Sequence, residues 1–217
     1  MKSQIKHPTD LLFACAAYAA RINDGYCKVA EFGKFDPVTG EGNEITRQTN
    51  KLVLLEALEH ERVLTDEDRE AGRLARQFCQ GLILRQLAHG RLSEFHQKMM
   101  DCSNEDETLV ANAGVIAYAP IMYQQSVKQE LINDRLHQAV STHIASPGTK
   151  VKLNIEVIRS NYSQQYGCNF ITAITDENQA VFFSFKTPLE LNQKYSIQGK
   201  VKSHKPNGQT QLNYVKI

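Results

Sequence analysis

The residues best suited to chemistry stand in the last third of the chain, where aromatic rings are interleaved with cations. Tyr162 and Tyr166 lie in a Tyr/Gln/Gly stretch from Asn161 to Gly167, with Gln164 and Gln165 between them. A tyrosine ring can stack on an unpaired base, and an amide side chain can hydrogen-bond the base edge. The same rings could instead anchor the loop by packing. Phe182 sits between Val181 and Phe183, so if Phe183 and Phe185 fill a core, Phe182 faces outward beside Ser184 and Lys186. It is then either an exposed platform or a contact for another part of the chain. Lys200 and Lys202 alternate with Gly199 and Val201, and His204-Lys205 follow them into the next loop. Together with Lys152, Arg159 and Lys186, these cations can neutralise phosphates, although edge lysines also protect strands from pairing with other chains.

Catalytic signatures are missing from the sequence. It contains no Gly-rich loop ending in Gly-Lys-Ser or Gly-Lys-Thr, no Gly-x-Ser-x-Gly elbow and no Gly-x-Gly-x-x-Gly fingerprint. His60-Glu61 lacks the second histidine needed for helical zinc ligation, and His89 and His96 have no cysteine nearby. The acidic run Asp66, Glu67, Asp68, Glu70 could hold a divalent cation, but carboxylates at a helix start favour the positive end of the dipole and need no metal. The expectation is a non-enzymatic protein with no cofactor and no metal.

The elements that must position the aromatic and basic residues are strands. Lys150 to Val157 alternates, sending Val151, Leu153, Ile155 and Val157 to one face and Lys152, Asn154 and Glu156 to the other. Further strands are read at Asn169–Thr175, Ala180–Lys186, Tyr195–Ser203 and Gln209–Ile217, with turn chemistry at Asp176–Gln179 and Lys205–Gly208. Five strands with the longest connection between the third and fourth fit an OB-like barrel, which binds oligonucleotides or oligosaccharides across strands 2 and 3 and the loops after strands 1 and 4. An SH3-like barrel or a small sandwich also uses five short strands.

Charge is divided unevenly along the chain. From Thr149 onward eight lysines and one arginine oppose four carboxylates, a net charge of +5, whereas the first 148 residues carry −4. The overall value of +1 hides a basic barrel beside an acidic segment.

Residues 1 to 148 read as mainly helical. Thr9 or Asp10 is placed to cap a helix from Leu11 to Ile22, and Gly25 to Gly42 reads as a loop or a hairpin, with Cys27 to Phe32 able to form a short strand before turn chemistry at Asp36–Gly40. Thr49 to His60 has helical spacing, and Thr65 starts what reads as the longest helix, carrying Arg69, Arg73, Arg76 and Arg85 to His89 and stopped by Gly90. Helices are also expected from Leu92 to Met100, from Ser103 or Asn104, and from Pro120 toward Ile144. The turn residues Ser146-Pro147-Gly148 then mark a domain boundary, giving a helical domain over 1–148 for assembly or recruitment and a barrel over 149–217. The longest early apolar run, Leu11 to Ala20, is too short to span a membrane. Five scattered cysteines suit reduced thiols, and a soluble cytoplasmic protein is expected.

The strand Gln179-Ala-Val-Phe-Phe-Ser-Phe185 and the ending Tyr195-Ser-Ile-Gln-Gly-Lys-Val-Lys-Ser-His-Lys-Pro-Asn-Gly-Gln-Thr-Gln-Leu-Asn-Tyr-Val-Lys-Ile217 resemble the terminal barrel of proteins from tailed-bacteriophage replication regions. The resemblance covers about the last third of the chain and rests on Gly-x-Val-x-x-His followed by Gln-Thr-x-Leu. It implies a nucleic-acid-associated OB-like module in phage DNA metabolism. Taken with the aromatic and basic residues, the expected function is single-strand binding or an accessory role beside replication or recombination proteins, the barrel holding DNA or RNA by stacking and phosphate contacts. The competing reading is an adaptor whose barrel binds a protein and whose lysines serve solubility. A nuclease using the acidic helix start ranks last.

Overall fold

The computed structural model describes residues 4–33, 44–84, 93–140 and 142–217, in two compact units, Met1–Val127 and Lys128–Ile217. The chain is α+β, with a helical N-terminal region and a closed five-stranded barrel at the C-terminal end.

The first unit is organised around α1 (Thr9–Ile22), which is apolar on nearly every side and therefore central. Its Leu12, Phe13, Cys15, Ala16 and Ala19 are fully buried with Leu54 of α2 (Asn50–Glu59) and Cys79 of α3 (Asp66–Gln80). Met99 of α4 (Glu94–Asn104) and Ile116 of the single turn α5 (Ala113–Ile116) complete this core with Ala119 and Met122, from the start of α6 (Ala119–Gln138). The expected small residues of α1 matter most opposite Gly72, where a Cβ would lie 2.6 Å from the Ala14 amide nitrogen. Only a residue without a side chain lets α1 and α3 approach so closely.

The starts of α2, α3 and α4 follow their side chains, and that of α1 does not. Thr49 Oγ1 accepts from the Leu52 amide, Ser93 Oγ accepts from the His96 amide, and Thr65 and Asp68 form a reciprocal capping box. Neither Thr9 nor Asp10 caps α1. Pro8 holds the N-cap position as the end of β1 (Lys6–Pro8), which pairs with β4 (Glu107–Leu109), and the Thr9 and Thr108 hydroxyls bond each other at 2.8 Å.

That pairing also replaces the helix expected from Ser103 or Asn104. Both residues instead end α4, with Ser103 Oγ and Asn104 Nδ2 donating back to the Met100 carbonyl. The strand expected over Cys27–Phe32 contracts to β2 (Glu31–Phe32), paired with β3 (Ile45–Arg47). α3 stops at Gln80 with Gly81 as its C-cap, so α6 is the longer helix. The Asp36–Gly40 turn, Arg85, His89, Gly90 and Leu92 lie outside the described residues. Among the described residues no helix is long and apolar enough to cross a membrane.

In the second unit β5 (Lys150–Ser163), β6 (Cys168–Thr175), β7 (Ala180–Phe185), β8 (Lys194–His204) and β9 (Thr210–Lys216) close in the order β5-β6-β7-β9-β8. The β7–β9 pairing is parallel and the other four are antiparallel. A first-second-third-fifth-fourth order is that of an OB-like Greek-key barrel. Ile155, Val157, Ile171, Ala173, Val181, Phe183, Ile197, Val201 and Leu212 fill its interior, as alternation requires. β5 serves both halves, pairing with β8 through Lys150–Glu156 and with β6 through Ile155–Ser163, and a bulge between Val157 and Arg159 bends it from one to the other.

The compact units divide within α6, earlier than Ser146–Gly148. Residues 128–149 belong with the barrel because its surface satisfies them. Arg135 pairs with Glu156 at 2.8 Å, Asn178 Nδ2 donates to the Gln138 carbonyl, and the Val140 amide donates to the Asn178 carbonyl at 2.7 Å. Ile144 and Ala145 pack on the barrel core, and the Ile144 amide donates to Thr210 Oγ1.

Candidate nucleic-acid interface

The outward faces of β6 and β7 carry one continuous line of rings. Ile171, Ala173, Val181 and Phe183 point inward, so Phe170 and Thr172 of β6 and Phe182 and Ser184 of β7 point outward. Cross-strand pairing sets Thr172 beside Phe182 and Phe170 beside Ser184, a diagonal that brings the two phenyl rings together. Their centroids are 5.8 Å apart with planes 22° from parallel. Tyr166 meets Phe170 edge-on at 5.7 Å.

Two tight turns bring their residues to this line. Gly167, at φ +58°, ends the turn that carries Tyr166, whose amide donates to the Ser163 carbonyl. At the other end, the Lys205 amide donates to the Gln209 carbonyl and the Gly208 amide to the Lys205 carbonyl. This places Lys205 Nζ 3.7 Å from the Phe182 ring centroid. The loops after the first and fourth barrel strands therefore converge on β6 and β7 through Tyr166 and Lys205.

Cations border the line. Arg159 is directly across from Thr172, and so shares the outward face in the same row as Phe182. Lys186 directly follows β7 and is exposed, and its carbonyl is fixed by the buried Asn169 side chain at 3.1 Å. Two carboxylates of the barrel are already engaged. Arg135 bonds Glu156 and holds its carboxyl below the usual glutamate range, while Lys194 pairs with Asp176 at 3.3 Å.

Not every sequence candidate joins this surface. β5 runs to Ser163, so Tyr162 is a strand residue rather than a loop residue. It pairs with inward-turned Asn169, on the face opposite Asn161 and Phe170, and is exposed at the barrel end. Lys152, Lys200 and Lys202 project from β5 and β8, on the sheet that β8 forms with β5 and β9. His204 braces the segment that leads into the barrel, because its ring stacks on His143 at 3.9 Å with planes 4° apart and its Nε2 bonds the Ala145 carbonyl at 2.8 Å. Phe170 was not distinguished by sequence reasoning. Its signal was available, since alternation with Ile171 and Ala173 places it outward on a binding strand.

In the first unit a groove of about 650 Å³ is bordered by Asp24, Glu31, Arg47, Glu56 and His60. Arg47 is committed to Glu31 and to the Asn23 carbonyl. Two arginines of α3 are similarly engaged, Arg73 with Glu70 and Arg76 with Asp10 and the Ser103 and Glu105 carbonyls. Among the described residues no group of three His, Cys, Asp or Glu side chains is placed to hold a metal ion. Comparison with family models, curated proteins and solved structures gives no match to this chain, and its functional reading rests on the geometry of the barrel face.

Proposed function

We propose that this protein is a non-enzymatic single-stranded nucleic-acid-binding protein, an accessory of replication or recombination in the host cytoplasm, as the resemblance to phage replication-region proteins implies. The observation that carries this reading is the line Tyr166–Phe170–Phe182 ending under Lys205. Bases stack on Phe170 and Phe182, with Tyr166 as a flanking ring, while Arg159, Lys186 and Lys205 take phosphates.

In the free protein the Lys205 ammonium covers Phe182. Phe182 and Lys205 are both half-buried, so replacing that cation–π contact costs about 0.5–2 kcal/mol, which the roughly 1–3 kcal/mol of a stacked base offsets. A base therefore displaces the ammonium, which then pairs with a phosphate of the same strand. Duplex DNA presents no free base faces and gains only the phosphate contacts.

The test is fluorescence anisotropy with labelled single-stranded and duplex oligonucleotides across a salt series. Tighter single-strand binding that weakens with salt is expected. Salt-insensitive or absent binding, together with capture of a host protein by the full chain, would favour the adaptor reading.

A further inference from the structure

A second basic surface lies on the barrel sheet formed by β8 between β5 and β9. Lys200 is directly across from Lys150, and Gln198 is across from both Lys152 and Lys216, so these side chains share the outward face. With Tyr214 they border an open groove of about 580 Å³. None of Lys150, Lys152, Lys200 and Lys216 forms an ion pair among the described residues, and no carboxylate borders the groove.

Two features of this patch oppose folding. Like charges directly opposite on neighbouring strands repel, as Lys150 and Lys200 do. Tyr214 is a bulky residue at φ +52° and is 80% exposed, so its strained backbone is not compensated by burial of its ring. An anion relieves the first, and a planar partner gives the exposed ring a contact.

We infer that this groove is a second contact for single-stranded nucleic acid, with Lys150, Lys152, Lys200 and Lys216 on the phosphates and Tyr214 stacked on a base. The inference rests on the β6–β7 reading and extends it, because β5 leads from one face to the other. From Lys152 to Arg159 the strand spans at most about 24 Å. One continuous oligonucleotide within the range of about 4–16 nucleotides per OB fold can reach both.

The test uses the full chain with single-stranded oligonucleotides of about 4 and about 16 nucleotides, the extremes of that range. Lys150→Gln/Lys200→Gln is expected to weaken the longer one roughly ten-fold and to lower its salt slope by about 1.4, while leaving the shorter one unchanged. Tyr214→Gly, which removes the backbone strain, is expected to weaken the longer one while the melting temperature holds or rises, an outcome that a purely structural tyrosine would not give. Unchanged long-strand affinity in the folded double variant overturns the inference. So does an equal loss for both lengths, which marks a general field effect. Loss of binding only to phosphatidylserine vesicles also overturns it. If Phe170→Ala/Phe182→Ala binds both lengths normally while the lysine variant loses the longer one, the β6–β7 reading fails and the groove stands; if the native chain binds neither length, both fail.

Discussion

Lys205 Nζ stands 3.7 Å from the centroid of the Phe182 ring, although the two residues lie on different strands and loops of the barrel. The contact depends on the parallel β7–β9 pairing, which sets Phe182 beside Gln211 and brings the turn before β9 next to the outward ring. It joins a stacking platform to a phosphate-binding group at one point.

Stacking and charge should therefore separate by mutation. Phe182→Ala or Phe170→Ala is expected to weaken single-strand binding by about 1–3 kcal/mol with little change in salt slope. Lys205→Gln should lower that slope by about 0.7. Tyr162→Ala, on the opposite face of β5, should change neither. Titrations at several salt concentrations check all three, with melting curves to confirm folding.

Gly72 tests the first unit. An alanine methyl there would meet the Ala14 amide nitrogen and the Phe13 carbonyl carbon, both at 2.6 Å and both backbone atoms that cannot rotate away. Gly72→Ala should destabilise the protein by about 3 kcal/mol despite the higher helix propensity of alanine. Chemical denaturation measures it. A neutral or stabilising result would mean that α1 and α3 are less closely packed.

The barrel was legible because each strand writes its burial in alternation, as Lys150–Val157 does. The site was only partly legible for the same reason. Alternation places a residue on a side of its own strand but not on one of the two sheets, so Lys200 and Lys202 looked like neighbours of Tyr166. The bulge at Val157/Arg159, which turns β5 between the sheets, has no comparable signal in side-chain type. Nor was the boundary visible: Ser146-Pro147-Gly148 is turn chemistry, but Arg135, Val140 and His143 already belong to the barrel through nonlocal partners. Likewise, Ser103 and Asn104 suit a helix start or end equally, and only pairing of Glu107–Leu109 with Lys6–Pro8 decides it.

Asp68 should make stability depend on acid. Burial alone would raise its carboxyl pKa, but two bonds from Arg21 at 2.8 and 2.9 Å, with the Thr65 amide and hydroxyl, outweigh that and hold it below the usual aspartate range. A folded value below the unfolded one of about 3.9 means the contribution is complete above that pH and is lost as pH falls through the folded value. Asp68→Asn should cost about 1–3 kcal/mol at pH 7, and its melting temperature should approach that of the native chain below about pH 4. Parallel melting curves from pH 7 to pH 2 would contradict this assignment.

Thiol labelling can report on the candidate interface without altering it. Cys15, Cys27, Cys79 and Cys102 are buried, and burial pushes the Cys15 and Cys79 thiols up to about 12, so neither supplies thiolate near neutral pH. Cys168 is half-buried at the start of β6 and shares the outward alternation of Phe170. In the folded protein at pH 8, one fast alkylation is expected, at Cys168, and Cys168→Ser should remove it. Single-stranded oligonucleotide should slow this reaction, whereas duplex at equal phosphate concentration should protect less. Fast labelling that oligonucleotide leaves unchanged, at concentrations where anisotropy shows saturation, would place the bound strand away from β6.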